Sequence, residues 1–340
     1  MKKWTLFSLL TTITLLIVSC SNSTTPISYD RNGFPNLKGH HLVAYVATSE
    51  EVGEALLSSF CEQRGCTYEF LRLSAEEIVR RVTEERHAPK ADVVIGGTLD
   101  AHIVMKSKQL STPISIEHKD SFPKELYDSE NYWFGFEILH LAIAVNTELW
   151  QMVMNDTPIP PSLSLQDLMD ERFKGKIVMS DPNFSGTAFT LFSSIAQTMS
   201  KTDAQTFVKQ LSENTGAVTV NGFMPIQMVG SGEYMLSFNF WGSSPPGLPI
   251  KTIQLKGKAL STISGISKLK NAPNGQVVDL FIDYCLSDDA GIIMRQVSDV
   301  SPIVKDSIRE PIVHSAQPLQ QTVQHTKELI EYWNKLRLSK

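Results

Sequence analysis

The sequence predicts an α/β protein made of two blocks in which strands and helices alternate, each block a mostly parallel sheet flanked by helices. Three strand-helix pairs follow one another between residues 41 and 109, and such alternation is typical of parallel sheets. A second alternating block begins near residue 163. Two long apolar runs of β type, near 138–145 and 259–267, are suited to be strands that cross between the blocks.

Strand and helix signals in the first block are clear. The β-rich run "HLVAYVA" (41–47) precedes "SEEVGEALLSSFCEQRG" (49–65), whose apolar residues recur at helical spacing and whose last residue is a helix-ending glycine. The strand "TYEFLRL" comes next, and then the helix "SAEEIVRRVTEERHA" (74–88), which starts with a capping box. "ADVVIGG" and "TLDAHIVMKSKQ" form the third pair.

The second block shows the same alternation. Its predicted helices are "LSLQDLMDERFKG" (163–175), "GTAFTLFSSIAQTMS", "TDAQTFVKQLSENTG" (202–216) and "FMPIQMVGSGE", and its predicted strands are "KIVMSDP", "AVTV" and "MLSFNFW". The helix pair "NGQVVDLFIDYCLSDDAGIIM" and the long amphipathic helix "LQQTVQHTKELIEYWNKLRL" come after a return to β structure near 256–269.

The first residues are typical of an exported protein. Lys2 and Lys3 precede an uncharged apolar run from Trp4 to Val18, which is short for a membrane-spanning helix and fits a signal peptide. The end of this run, "IVSC", resembles a bacterial lipobox, so we expect a signal peptide at 1–19 and a lipid on Cys20. A simple secretory peptide or a short anchor is the alternative.

The polar segment after Cys20 predicts a flexible tether over 20–36, with the folded part starting near Leu37. The expected location is therefore the cell envelope, periplasmic or on the outer surface, with the lipid as the membrane contact. A net charge of −5 and the lack of a Lys/Arg-rich block argue against nucleic-acid binding. No G-x-S-x-G, Walker or H-E-x-x-H motif is present, so we expect a protein that is not an enzyme and needs no cofactor. We also expect the protein to be a monomer.

Three cysteines remain after Cys20. Cys61 ends a predicted helix and Cys66 opens the next strand, so a local disulfide between them is possible in an oxidising compartment, although the spacing leaves the question open. Cys285 falls on the apolar side of its helix and is expected to be a buried free thiol.

The segment "SDPNFSGTAFTLF" (180–192) is the strongest candidate for a binding site. Ser185 is a good N-cap, yet Ala188 stands where a capping-box Glu would be, so the backbone amides near Gly186 and Thr187 have no carboxylate beside them. Each helix start carries roughly half a positive elementary charge and several free N–H groups, which suits phosphate or carboxylate. An ordinary N-cap is the alternative interpretation of Ser185.

Other strand-to-helix junctions are expected to face the same cleft, because ligands of open parallel sheets bind beyond the carboxyl ends of the strands. The candidates at these junctions are Thr48, Ser49, Gly97, Thr98, Asn221 and Gly222. Thr48 and Glu51 can instead form a capping box that satisfies the helix start by itself.

Two acidic residues and one aromatic residue complete the candidates. Asp181 and Asp100 would add negative charge to the cleft, which would call for hydroxyls or a cationic group on the ligand as well as an anion. Asp181 can equally cap its own loop, and Asp100 can face solvent. Trp241 follows a predicted strand and can stack on a sugar or a cation, or serve in packing.

The order of several segments resembles that of the substrate-binding lipoproteins of ABC importers. The segments with most weight are "FKGKIVMSDPNFSGTA" and "APNGQVVDLFIDYCLSDDAG", and the likeness spans about residues 40 to 300. The most similar branch is the ferric-iron-type group with the type 2 periplasmic-binding fold, which also contains receptors for phosphorylated sugars and aminophosphonates. The resemblance implies two lobes that close on a solute without chemistry, and a permease and an ATPase as partners.

The resemblance also implies a division of the chain into lobes. The expected first lobe comprises 37–137 and 260–305, and the second comprises 138–259 and 306–340 with the C-terminal helix. We expect the solute to be small, polar and anionic, such as a phosphorylated sugar or a phosphonate.

Two other functions stay open. Ferric-binding members usually hold the metal with tyrosinates, but the chain has no Tyr-Tyr pair, and Phe240 and Trp241 stand where oxygen ligands would be expected. His102, Glu137 and His140 could supply a different iron site. A surface lipoprotein that acts in adhesion or host contact is the alternative of another class.

Overall fold

The computed structural model describes residues 26–116, 119, 122–245, 247–257, 260–303 and 319–338. The predicted signal peptide and the predicted lipid site at Cys20 lie outside the described residues. In the part of the chain that is described, no helix is both long enough and apolar enough to cross a bilayer.

Lobe 1 is built on a sheet whose central strands are parallel. Strand β3 (His41–Val46) lies between β4 (Thr67–Arg72) and β5 (Val93–Thr98) and runs parallel to both. A short strand, β6 (Ser111–Thr112), also belongs to this sheet, whereas β1 (Ser28–Tyr29) and β2 (Pro35–Asn36) form a separate two-stranded sheet. Val93 and Ile95 of β5 are fully buried, which fits a strand covered on both faces.

Helices cover both faces of the lobe 1 sheet. They are α1 (Glu50–Arg64), α2 (Ala75–Glu84), α3 (Leu99–Ser107), α8 (Gly275–Cys285) and α9 (Asp288–Val297). Buried residues of α1, α8 and α9 share one core with the sheet, whereas α2 and α3 pack with Tyr45 and Val94 in a smaller cluster. The Phe60 and Phe281 rings meet edge to face at 5.2 Å in the larger core.

Two long strands connect lobe 1 to lobe 2. Strand β7 (Phe134–Asn146) pairs antiparallel with β13 (Ser261–Leu269) through its first half. Its second half pairs with β11 (Leu236–Phe240) and β12 (Ile250–Lys256) of lobe 2. These are the two crossover strands that the apolar runs near 138–145 and 259–267 predict, and they join the two sheets into one continuous ladder.

Lobe 2 has its own parallel centre. Strand β9 (Ile177–Ser180) runs parallel to β10 (Thr215–Thr219) and to β11. The remaining strands of the described chain are β8 (Ser162–Ser164), parallel to β12, and β14 (Ser301–Pro302), which pairs with β7.

The helices of lobe 2 pack around a second hydrophobic core. They are α4 (Thr147–Val153), α5 (Gly186–Thr198), α6 (Lys201–Asn214), α7 (Met224–Gly230) and α10 (Leu319–Leu338). Trp333 of α10 is 1 % exposed and meets the ring of Phe192 of α5 edge to face at 5.5 Å. Burial of one such side chain stabilises the fold by roughly 2–3 kcal/mol, so α10 holds α5 firmly in lobe 2.

The segment 163–175 differs from the sequence prediction of one helix. It begins with β8 and continues through two short 3-10 helices, Asp167–Met169 and Glu171–Phe173. The carboxylate of Asp167 accepts hydrogen bonds from the amide and hydroxyl of Ser164. This local side-chain bonding competes with a continuous helix, and pairing with β12 holds the start of the segment extended.

The last part of the predicted tether also differs from expectation. The pairing of β1 with β2 makes a small antiparallel hairpin in which Asp30 Oδ1 accepts the amides of Asn32 and Phe34. Ile27 packs on the lobe 1 core, and the guanidinium of Arg64 lies 5.6 Å from the Phe34 ring. Residues from Ile27 onward are therefore attached to lobe 1, and only the earlier residues retain the tether prediction.

Candidate functional site

Helix α5 begins without the cap that its sequence could provide. Ser185 is the N-cap in extended conformation, but within the described residues its side chain makes no capping hydrogen bond. Its hydroxyl instead accepts a 2.7 Å hydrogen bond from the Ser180 hydroxyl at the end of β9. Ala188 is buried at the third position, so no carboxylate serves the first-turn amides. These amides keep their capacity to bind an anion.

The start of α5 lies directly against lobe 1. A Cβ added to Gly186 would be 2.6 Å from the Oγ1 atom of Thr98, which is closer than side chains approach. Thr98 is itself the N-cap of α3, and its side chain likewise makes no capping bond in the described chain. Two helix starts that lack side-chain caps, one from each lobe, are therefore in contact.

A second loop of lobe 2 lies against the start of α5. The backbone of Gly222, between β10 and α7, comes so close that an added Cβ would be 3.0 Å from Ser185 Oγ and 3.7 Å from Thr187 Oγ1. We call the group formed by Thr98, Ser185, Gly186, Thr187 and Gly222 the interlobe junction. Glycine allows the backbone of each loop to approach where a side chain would obstruct contact.

A cation-π contact joins the lobes beside the interlobe junction. The guanidinium carbon of Arg72, at the end of β4, lies 3.5 Å from the centre of the Phe223 ring, just before α7. Arg72 Nε also donates to the Thr48 carbonyl at 3.2 Å. Burial lowers the pKa of Arg72, and the carboxylates of Glu50 and Glu51 partly offset this shift. Such a contact contributes on the order of 1 kcal/mol to closure.

The first helix start is self-satisfied, as one of the two interpretations allowed, although by a different residue. Ser49 is the N-cap of α1 and accepts from the Val52 amide at 3.3 Å, so the capping box of Thr48 with Glu51 is not formed. The Thr48 hydroxyl donates to Glu137 Oε2 at 3.2 Å. Thr48 is therefore bonded to Glu137 of β7, whereas the Ser49 hydroxyl is used in the cap.

Gly97 and its neighbour serve the packing of lobe 1. Both Gly96 and Gly97 have left-handed backbones, with φ of +91° and +89°. A Cβ on Gly97 would lie 2.9 Å from that of Ala75, and one on Gly96 would lie 2.4 Å from the Thr48 amide nitrogen. The pair lets the end of β5 pass close to the starts of α1 and α2.

Three further candidates are engaged in local contacts. Asp181 Oδ1 accepts from the amide and the side chain of Asn183, at 2.8 and 2.6 Å, so it caps its own loop. Asn221 Oδ1 accepts the amides of the two residues that precede and open α7, at 3.1 and 3.0 Å. The Trp241 indole donates to the carboxylate of Asp299, which holds the ring near the crossover strands.

One buried carboxyl group, that of Glu137, and two partly buried ones, those of Asp100 and Glu76, lie in lobe 1 near the interlobe junction. Burial raises the pKa of Glu137 to about 7, and the hydroxyl of Thr48 offsets part of this shift. Burial also raises the pKa of Asp100, in the first turn of α3. Burial raises the pKa of Glu76, in the first turn of α2, to about 7, and repulsion by Asp100 adds to the effect.

The residues considered for an iron site are held in separate contacts. His102 is buried, with Nδ1 2.7 Å from Ser267 Oγ and Nε2 3.0 Å from the Gly96 carbonyl, and burial lowers its pKa to about 4. His140 is exposed, and its Nδ1 lies 2.7 Å from Ser261 Oγ. No cluster of three or more His, Cys, Asp or Glu in the described residues is arranged to hold a metal ion.

The three cysteines after Cys20 are placed as the sequence allowed. A disulfide joins Cys61 to Cys66 across the turn between α1 and β4, with Cα atoms 4.6 Å apart. Cys285 is a free thiol, fully buried in the lobe 1 core, and burial raises its pKa. This confirms the expectation of a buried thiol at Cys285.

Several residues of the cleft are not apparent from the sequence. Arg72 and Phe223 meet only because the two lobes come together, and no local pattern marks either one. Ser264 is a polar residue within the apolar run of β13, which is a signal, but its alignment with Glu137 and Thr98 depends on strand register. Glu76 carries no distinguishing signal in the sequence, because acidic residues are common in the first turn of any helix.

Comparison with known proteins identifies the family of this chain. A sequence profile of bacterial extracellular solute-binding proteins matches residues 88–322, which is more than half of the 340 residues. The chain belongs to this family. An uncharacterized protein of Haemophilus influenzae is 26% identical to this solute-binding protein over an aligned length of 322 residues, and the alignment covers 89% of this chain and 92% of the relative.

Solved structures of other solute-binding proteins share the fold. The periplasmic binding protein AfuA from Actinobacillus pleuropneumoniae, with fructose-6-phosphate bound, has a TM-score of 0.72 at 23% identity, covering 87% of this chain and 98% of AfuA. Iron-bound HitA from Pseudomonas aeruginosa has a TM-score of 0.68 at 16% identity, covering 87% of this chain and 99% of HitA. These likenesses confirm the two-lobed type 2 periplasmic-binding fold that the sequence predicts.

Proposed function

We propose that this solute-binding protein is the receptor of an ABC importer and captures a small, polar, anionic solute between its lobes. The observation that carries the proposal is the start of α5, where first-turn amides without a side-chain cap lie at the interlobe junction. A phosphate or phosphonate group would accept hydrogen bonds from these amides and interact favourably with the helix dipole. Thr187, 8 % exposed, offers a hydroxyl at the same place.

The contacts of the former iron candidates favour an anion over a ferric ion. His102 is bonded through both ring nitrogens, and Glu137 accepts the hydroxyl of Thr48. Ferric iron requires several anionic oxygen ligands around one point. The interlobe junction instead supplies neutral N–H and O–H donors, which suit an oxyanion. That AfuA holds fructose-6-phosphate agrees with this choice without deciding it.

The other parts of the proposal follow from the first. A receptor that closes on its solute delivers it to a permease and an ATPase, and no catalytic step is required of it. We infer that a lipid on Cys20 holds the protein at the membrane of the cell envelope and that the protein acts as a monomer. The proposed lobe boundaries are 37–137 with 260–305 and 138–259 with 306–340.

A thermal-shift assay tests the anion site. We expect sugar phosphates or phosphonates to raise the melting temperature of the purified protein, because a ligand that binds only the folded state stabilises it. Ser185→Ala combined with Thr187→Val is expected to abolish this increase. Polyamines and Fe(III) belong in the same panel, and a shift with Fe(III) alone would support the iron receptor instead.

The chain contains a matched control for this variant. Helix α6 also begins with the pattern Ser-x-Thr, at Ser200 and Thr202, and Ser200 caps it by accepting from the Asp203 amide at 3.2 Å. Ser200→Ala with Thr202→Val should lower the ligand-free stability by about 1 kcal/mol and leave the phosphate shift intact. The α5 variant should lose a similar amount, because Ser180 loses its partner. An equal phosphate shift in both variants would remove α5 from the site.

A further inference from the structure

Basic side chains gather at the end of lobe 1 that lies away from the cleft. Because β3, β4 and β5 are parallel, the helices that follow them, α1, α2 and α3, all end at the side where these strands begin. We call this side the base of lobe 1. The six residues of β5 separate it from the cleft by about 20 Å, so the base is distinct from the interlobe junction.

Four exposed cations at the base form one patch. They are Arg86 and Lys90, which follow α2, Lys108, which ends α3, and Lys270, which follows β13. Arg86 and Lys270 line one surface pocket together with Gln109, the residue after Lys108. Lys90 lines a second pocket, which shares one residue with the first. We call Arg86, Lys90, Lys108 and Lys270 the basic patch.

The charge of the basic patch is not neutralised by its neighbours. Within the part of the chain that the structure describes, none of its four members makes an ion pair. Glu84 and Glu85, the nearest carboxylates along the chain, are each paired with an arginine of α2. Asp92, just before β5, is fully buried and accepts three N–H groups. The basic patch therefore presents its positive charge to the outside of the molecule.

Stabilisation of helix ends does not account for the basic patch. A cation interacts favourably with a helix dipole within the last turn of the helix. Arg81 and Lys106 hold these positions in α2 and α3. Arg86 and Lys90 lie beyond the end of α2, and Lys270 follows a strand. These three cations call for another reason.

Lobe 1 is polarised between its two ends. The first turns of α1, α2 and α3 carry five carboxyl groups at the cleft end, whereas the basic patch lies at the base. The chain as a whole has a net charge of −5, so a negatively charged surface repels the molecule on average. Such a surface would attract the base alone, and it would orient the molecule with the cleft turned away.

The chain enters lobe 1 at this same end. Ile27 packs on the lobe 1 core, and Leu37 donates its amide to the carbonyl of Arg64, the last residue of α1. Cys20 precedes Ile27 by seven positions, and such a stretch reaches at most about 25 Å. With the proposed lipid on Cys20, the point of entry would stay within this distance of the bilayer.

We propose that the basic patch docks on an anionic phospholipid bilayer and that the cleft then faces away from the membrane. This inference goes beyond the proposed function and shares with it only the lipid on Cys20, which keeps the base near the bilayer. Each Lys or Arg at an anionic lipid surface raises the affinity about fivefold. Attachment by the lipid makes the docking intramolecular, so that a few charges suffice. Docking of this kind keeps the cleft open to arriving solute.

Sedimentation with lipid vesicles tests the basic patch without the lipid anchor. The protein used begins at residue 21, which leaves out Cys20 and retains every described residue. At low ionic strength we expect it to partition at least about tenfold more onto vesicles of phosphatidylglycerol with phosphatidylcholine than onto phosphatidylcholine alone. In about 1 M salt this preference should disappear, because charges are then screened over about 3 Å.

Lys90→Gln combined with Lys270→Gln should remove the preference for anionic vesicles. The loss of two charges lowers the affinity roughly 30-fold, and both side chains are exposed, so the fold should be unaffected. Lys174→Gln combined with Lys209→Gln is the matched control. These two lysines are exposed in lobe 2, and their substitution changes the net charge by the same amount. The control should keep the preference of the wild type.

The orientation can be measured on the vesicle-bound protein. A fluorophore on Ala88→Cys, which lines the same pocket as Lys90, should be quenched by a lipid-borne quencher. A fluorophore on Met152→Cys, at a 68% exposed position of α4 in lobe 2, should stay bright. The native thiols of the described chain are in a disulfide or buried, so the label reacts at the introduced cysteine.

Several outcomes would overturn the inference. They are equal partition onto both kinds of vesicle, an unchanged preference in the variant of Lys90 and Lys270, and an equal loss in the variant of Lys174 and Lys209, which would reflect overall charge. Binding that survives in high salt would indicate apolar insertion instead, and equal quenching at both labels would contradict the orientation. None of these assays uses a solute, so the proposed capture of an anion stands or fails separately.

Discussion

The helices that begin at the cleft differ between the two lobes. α1, α2 and α3 of lobe 1 carry carboxylates in their first turns, whereas α5 and α7 of lobe 2 carry none. Ser74 of α2 forms a complete capping box with Glu77, whereas Ser185 of α5 makes no capping bond. Two halves with similar folds thus offer opposite chemistry, acceptors from lobe 1 and donors from lobe 2, because their first helical turns differ.

The largest expected effect comes from giving α5 the acidic start of a lobe 1 helix. Ser185→Asp should weaken phosphate binding at least about 100-fold, because two like charges about 4 Å apart repel by roughly 4 kcal/mol near a protein surface. Titration calorimetry with a phosphate compound measures the loss. Ser200→Asp, at the N-cap of α6, is the control and should bind normally. Undiminished binding by Ser185→Asp would contradict the proposed role of lobe 2.

The next effect concerns the ligand-free stability of lobe 1 and its pH dependence. Burial raises the pKa of Glu137 to about 7 from its ordinary value of 4.5, so the folded protein holds this proton more tightly than the unfolded chain. Stability contributed by the protonated group is present below pH 4.5 and is lost as the pH rises through about 7. The Glu137→Gln variant has no ionisable group at this position, so it should not lose stability in this way as the pH rises.

The variant should therefore gain stability over wild type between pH 5 and pH 8, by on the order of 2 kcal/mol. Urea denaturation at both pH values measures the difference. To a first approximation the contributions of other titrating groups to this difference cancel, because these groups are present in both proteins. One of them is His102, whose pKa is lowered to about 4 by burial and whose contribution to stability has the opposite pH dependence. Glu84→Gln should show no such trend. A constant difference for Glu137→Gln would mean that the carboxyl is not desolvated.

The smallest effect concerns the contact between the lobes. Gly186→Ala places a methyl group 2.6 Å from Thr98 Oγ1, so we expect closure to be obstructed and solute affinity to fall about tenfold, or about 1.4 kcal/mol. Small-angle scattering should show a larger radius of gyration. Gly275→Ala is the control, since Gly275 also opens a helix, α8, and an added Cβ there has room, 3.6 Å from Lys268. Adding Thr98→Ala should restore closure; failure to do so would place the obstruction elsewhere.

The start of α5 could be predicted from sequence because capping is local. Ser185 and Ala188 are three residues apart, and their side chains decide whether the amides are satisfied. The alignment of Glu137 with Ser264 could not be predicted, because the two residues are distant in sequence and meet only through strand register. The helix expected at 163–175 was wrong for a related reason. Its apolar spacing suits a helix, but the pairing of β8 with β12 is a tertiary contact that no local pattern reveals.

The docking of the N-terminal hairpin determines where a pull on the chain would be felt. Leu37 donates its amide to the Arg64 carbonyl, at the last turn of α1, and the 15 residues of α1 separate that turn from the cleft by roughly 22 Å. A membrane tether that ends at Ile27 would thus pull only on the part of lobe 1 near the end of α1. Tension on such a tether would not act on the crossover strands. The two lobes could therefore open and close at the same rate whether or not the protein is attached to a membrane.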